Sequence, residues 1–138
     1  MINKILIAFD GSETSVKALR YAAEISSITK SELIVLFVIH EMIKDYGATK
    51  NEGETLKEKI QDMLNTHIDG LKQINPGLKT HSIIVKGTPT SVIVETAKKE
   101  NADLIVMGSK GFRVKDLSLG SISSSVVNIS PINVLIVK

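Results

Sequence analysis

"ADLIVMGSKGFRVKDLSLGSISSS" (residues 102–125) joins two opposite textures without a break. The run "DLIVM" (103–107) is short, rich in branched side chains and mostly apolar, as in a strand covered on both faces. From Gly108 onward come three glycines, six serines, three basic residues and one acid. The spacing then predicts a short helix from about Ser121 to Ile129, stopped by Pro131. Strand, glycine-rich connection and helix in that order are half of a β–α–β unit.

Working outward, the strand texture recurs in "KILIAF" (4–9), "ELIVLFVI" (32–39), "HSIIV" (81–85) and "INVLIV" (132–137). Helix-period stretches lie between. In residues 12–29 the apolar Val16, Leu19, Ala22, Ala23 and Ile25 form one stripe, with Ser12 placed to cap it. Residues 53–74 repeat the pattern through Leu56, Ile60, Met63, Leu64 and Leu71, and end at "NPG". "TPTSVIVETAKKEN" (88–101) offers Thr88 as a cap and Pro89 at the first helical position. The order βαβαβαβαβ predicts an α/β fold with a mainly parallel sheet, right-handed crossovers and helices on both faces. Ligands of such sheets sit at the carboxyl ends of the strands, where the strand order reverses. Residues 40–54 read as a long loop, the least ordered part of the chain.

Bulk properties narrow the class. At 138 residues the chain suits one domain, 1–138, and 43% hydrophobic content supports a real core. A net charge of +2 with 4% aromatic residues does not suit a nucleic-acid binder. There is no cysteine, which excludes disulfide and thiol chemistry. Between Lys4 and Asp10 only five uncharged residues occur, too few for a signal peptide or a membrane span. A soluble, cytoplasmic protein with no membrane partner is expected.

The chemistry concentrates in 108–125. Gly108 and Gly111 would let backbone approach a ligand without a Cβ in the way. Gly120 and Ser121 start a helix whose free N–H groups and dipole attract anions, and Lys110, Arg113 and Lys115 add positive potential. A phosphate chain is the natural guest. The alternative is that these glycines punctuate turns and these serines cap a helix. Neither a GxxxxGK[ST] loop nor GxGxxG is present.

Three segments together, "ILIAFDGSETSVKALRYAAEI", "KGTPTSVIVETAKKENADLIVMGSKG" and "LGSISSSVVNISPINVLIVK", resemble the universal stress protein family over nearly the whole chain. The resemblance implies a Rossmann-like sandwich with a five-stranded sheet of order 3-2-1-4-5 and four helices. In the family's ATP-binding members the phosphate loop reads G-2x-G-9x-G-[ST]. Here Gly108, Gly111, Gly120 and Ser121 match, but "FRVKDLSL" leaves eight residues where nine are usual. Eight extended residues reach about 26–29 Å, so closure is possible and the question is register.

The resemblance carries further residues into an ATP site. Ala8, Phe9 and Asp10 would lie near adenine and ribose, although Asp10 can equally form an Asx turn over "DGS". Val38 would hold adenine through its backbone, or simply belong to the core. Met107, Gly108, Gly111, Gly120, Ser121 and Ile122 would line the nucleotide, the last five through main-chain amides. Ser123 either joins them or is an exposed helix residue. ATP, or AMP or ADP, could bring Mg²⁺ held chiefly by phosphate oxygens. The family also implies a homodimer through the apolar edge 132–137; the other reading is an edge hidden by its own helices. Phosphorylation in the serine cluster 118–125 is a family-level suggestion.

Other residues carry less. His40, His67 and His81 have no second ligand at metal spacing, and solvated or packing roles suit them. No GxSxG elbow occurs. Three functions follow: a homodimeric nucleotide-binding stress module, a family member acting as an interaction protein without nucleotide, and a slow ATP hydrolase. The last is weakest, because no general base stands out.

Overall fold

The computed structural model describes residues 1–42, 50–111 and 119–138, with side chains in the second stretch from Leu56 on. Arg113 and Lys115 fall outside these residues. Each apolar run forms a strand: β1 (Lys4–Ala8), β2 (Glu32–His40), β3 (Thr80–Gly87), β4 (Leu104–Gly108) and β5 (Asn133–Val137). The helices are α1 (Glu13–Thr29), α2 (Lys50–Ile74), α3 (Pro89–Lys99) and α4 (Ser121–Ile129). The sheet runs β3-β2-β1-β4-β5, and every neighbouring pair is parallel.

The pleat explains why the strand runs are apolar throughout. Ile5, Ile7, Leu33 and Val35 point to a core shared with α1 and α2, through Leu19, Ala22, Ile60 and Leu64. Leu6, Ile34, Leu36 and Ile105 point the other way, onto Ile93 and Val94 of α3 and Val126 of α4. All eight of these strand side chains are fully enclosed. At about 1.5–3 kcal/mol for each large aliphatic buried, the central strands anchor both layers. A polar side chain on either face would meet no water and would lose its hydration without replacement.

Topology places the ligand region. The chain steps from β1 to β2 to β3 with α1 and α2 on one face, then returns to β4 and β5 with α3 and α4 on the other. Neighbouring β1 and β4 therefore send their connections to opposite faces, and a crevice opens between their carboxyl ends.

Three helix starts match the sequence reading, at Ser12, Pro89 and Ser121, one of them without the expected side-chain cap, and one loop is shorter than expected. Ser12 caps α1, its Oγ accepting from Ser15 N at 3.4 Å. Thr88 holds the N-cap position of α3 before Pro89, but its side chain makes no cap. Its hydroxyl donates instead to Glu41 Oε1 at 2.8 Å, tying the end of β2 to the start of α3. The loop expected over 40–54 is shorter than that: β2 includes His40, and α2 begins at Lys50. Residues 43–49 lie outside the described residues. Among the described residues no helix is long and apolar enough to cross a membrane.

Candidate functional site

At the tip of β1, Asp10 turns the chain. Its Oδ1 accepts from Ser12 N at 2.8 Å, and Gly11 takes φ 85°, a left-handed conformation that glycine adopts without strain. The Asx turn is thus formed. Asp10 Oδ2 faces across to the other loop, where a Cβ built on Gly111 would lie 3.3 Å from it. One carboxylate thereby both shapes its own turn and borders the glycine loop.

At the tip of β4 the glycines have separate reasons. A Cβ on Gly108 would come within 2.8 Å of both the carbonyl carbon and the Cβ of Thr14. The space at Gly108 is filled by the first turn of α1, so its lack of a side chain serves helix–sheet packing rather than ligand approach. Thr14 Oγ1 also donates to the Lys110 carbonyl at 2.6 Å, so α1 holds the start of the loop. Gly111 by contrast is exposed and meets only the Asp10 carboxylate.

The loop is closed at its base. Ser109 N donates to Val137 O at 2.8 Å, and the Ser109 carbonyl accepts from Gly120 N at 2.7 Å. Ser123 is buried at 3% exposure, and its hydroxyl donates to the same Ser109 carbonyl at 2.8 Å and to Gly120 O at 3.1 Å. Two expectations change here. The Gly120 amide and the Ser123 hydroxyl are committed to Ser109, and Ser123 is no exposed helix residue. No side chain caps α4, and Ser121 and Ile122 at its start are exposed. First-turn amides of a helix have no intrahelical acceptor, so 121–123 present the donor end of α4.

These parts border one cleft of about 220 Å³. Ala8, Leu36, Val38 and Met107 line it from the sheet face that carries α3 and α4, and Pro89 and Ile93 of α3 complete its apolar portion. Gly108, Lys110, Gly111, Ile122 and Ser123 border it on the β4 side, and Phe9 and Asp10 come from β1. Ten expected residues meet there. Gly120 and Ser121 are not among the lining residues; they close the loop and open the helix beside it. Ser12, Ser15, Leu36, His40, Pro89 and Ile93 line the cleft in addition to the expected set. Strand alternation from Val38 reaches Leu36 and His40, a signal present in the sequence. His40 Nδ1 accepts from Met42 N at 3.0 Å, which leaves Nε2 to carry the hydrogen in the neutral ring.

The other histidines are accounted for elsewhere. His67 packs edge-on against Phe9, ring centroids 5.2 Å apart. His81 Nδ1 lies 2.7 Å from Glu32 Oε1 at the opposite end of the sheet. Among the described residues no cluster of three or more His, Asp or Glu could hold a metal ion.

The model of the universal stress protein family matches residues 1–138. The chain belongs to that family. Universal stress protein YxiE of Bacillus subtilis is 31% identical over 151 residues, covering all of both chains. Universal stress protein MJ0577 of Methanocaldococcus jannaschii is 32% identical over 155 residues, covering all of this chain and 96% of that one. Its solved structure superposes with a TM-score of 0.79, at 35% identity over the same shares. A universal stress protein from Archaeoglobus fulgidus, solved in complex with dAMP, gives a TM-score of 0.72 over all of both chains. At 22% identity that likeness speaks for the fold alone.

Proposed function

We propose that this universal stress protein binds ATP, or another adenine nucleotide, in the cleft and acts as a cytoplasmic homodimeric regulatory module. The observation that carries the reading is the uncapped start of α4 beside an apolar cleft at the tips of β1, β2 and β4. A nucleotide divides in the same way, into a flat, weakly polar base and a polyanion. The Archaeoglobus structure solved with dAMP shows that a protein of this fold can hold an adenine nucleotide.

The residues present suit the group. Leu36, Val38, Met107 and Ile93 would enclose the base, and Asp10 would accept from ribose hydroxyls. Amides at Gly111, Ser121 and Ile122 would serve the phosphates, with Lys110 and Arg113 adding charge. Mg²⁺ would ride on phosphate oxygens. The bound nucleotide supplies the signal, and the chain's residues position it and exclude water. The outer edge of β5 pairs with a second β5 in the dimer, because β4 occupies its inner edge and its side chains are largely apolar.

One observation favours a second reading, a family member that acts without nucleotide. Gly120 N and Ser123 Oγ are spent inside the protein, and the loop is one residue short. Denaturing freshly purified protein and analysing the supernatant separates the two. Stoichiometric adenine nucleotide supports binding. Protein that arrives empty and shows no thermal shift with ATP supports the second reading.

A further inference from the structure

A second cavity, of about 250 Å³, lies between α1 and α2, on the sheet face opposite the floor of the cleft. It is an open groove: buried Leu19 and half-buried Leu71 give it an apolar floor, and exposed Ile74 forms its rim. Arg20, itself exposed, and half-buried His67 are its basic groups. No lining residue is acidic. Among the described residues Arg20 has no ion-pair or hydrogen-bond partner, and the His67 nitrogens have none. Thr66, the remaining polar side chain, donates its hydroxyl hydrogen to Asp62 O at 2.9 Å. The Arg20 guanidinium is therefore unanswered from within.

Gly70 bears on the shape. It sits inside α2, where glycine weakens a helix relative to alanine. A Cβ there would meet nothing within 4 Å, so packing does not require the glycine. It borders the cavity and leaves it wider than any other residue would. One positive group and a hydrogen-bonding ring beside a partly apolar groove, with an unneeded glycine between, suit a ligand carrying both an anion and a short tail. The volume admits on the order of ten non-hydrogen atoms.

We infer that this α1/α2 cavity binds a small aliphatic monocarboxylate, its carboxylate at Arg20 and His67 and its chain along Leu19, Leu71 and Ile74. The site is independent of the nucleotide reading, because it shares no lining residue with the cleft. Octanoate is the probe, titrated into the intact protein below its aggregation concentration and followed by amide NMR and calorimetry. Saturable binding is expected, with shifts centred on Arg20, His67 and Gly70. Arg20→Gln should weaken it about tenfold or more, since charge-assisted hydrogen bonds are the strong ones. Gly70→Leu should abolish it without lowering Tm, because its Cβ has open space. Octylammonium should not bind. Absence of saturable binding, equal binding by Arg20→Gln, or equal binding of octylammonium would each overturn the inference.

Discussion

Gly108 and Gly111 stand three residues apart in one loop, yet their physics differs. A side chain at 108 must displace Thr14 of α1, whereas one at 111 meets only the end of a carboxylate. Gly108→Ala should therefore destabilise by about 1–3 kcal/mol, the usual cost of overpacking, while Gly111→Ala stays within about 0.5 kcal/mol. Chemical denaturation of both variants checks the difference. Ser123 makes a related case, since its hydroxyl ties α4 to Ser109. Ser123→Ala should cost about 1 kcal/mol through the lost hydrogen bond. It should leave nucleotide affinity nearly unchanged, because the hydroxyl is already committed. Denaturation and calorimetry on the one variant read both. None of this is visible locally in "GSKG": Thr14 lies far away in sequence, and only the folded sheet brings it under Gly108. What is legible there is that glycine, serine and charge collect at one strand tip.

Strands are legible wherever both of their faces are buried, because a short uninterrupted apolar run suits few environments besides a covered sheet. All five strands and the order of helices follow from that signal. Helix starts are legible where a cap or a proline marks them, as at Ser12, Pro89 and Ser121, and less so elsewhere. α2 begins at Lys50, ahead of Gly53, because the residues before the apolar stripe carry no periodic signal. Thr88 has the right side chain for a cap, but Glu41 at the end of β2 takes its hydroxyl. At the amino ends of the strands, Asp103 accepts from Asn3 N at 2.8 Å and Lys4 N at 3.0 Å, joining β1 to the start of β4. These backbone donors hold its carboxyl below the usual carboxylate range. A lowered folded value means the stabilisation is present above the unfolded value, about 3.9, and is lost as pH falls through the folded one. Asp103→Asn should accordingly flatten the loss of stability below about pH 4 while changing the neutral fold little. Thermal melts between pH 2 and pH 7 would show it, and a variant that tracks the parent at every pH would count against it.

At the scale of the molecule, one sheet carries two separate surfaces that the topology generates together. Reversal of strand order between β1 and β4 opens the cleft, and the same reversal leaves β5 as an outer edge. If two β5 edges pair, sedimentation at micromolar concentration should give twice the protomer's 15.0 kDa. A lysine on the outer edge should restore the single mass, and a parent protein that sediments as 15.0 kDa at every concentration would rule the pairing out. The central claim concerns the cleft, and an amide NMR titration of nucleotide-free protein with ATP tests it most directly. Binding in the cleft predicts saturable shifts largest at Gly111, Ser121 and Ile122, with smaller ones at Val38. A folded protein whose amides stay unmoved in millimolar ATP, or move only away from the tips of β1 and β4, would contradict it.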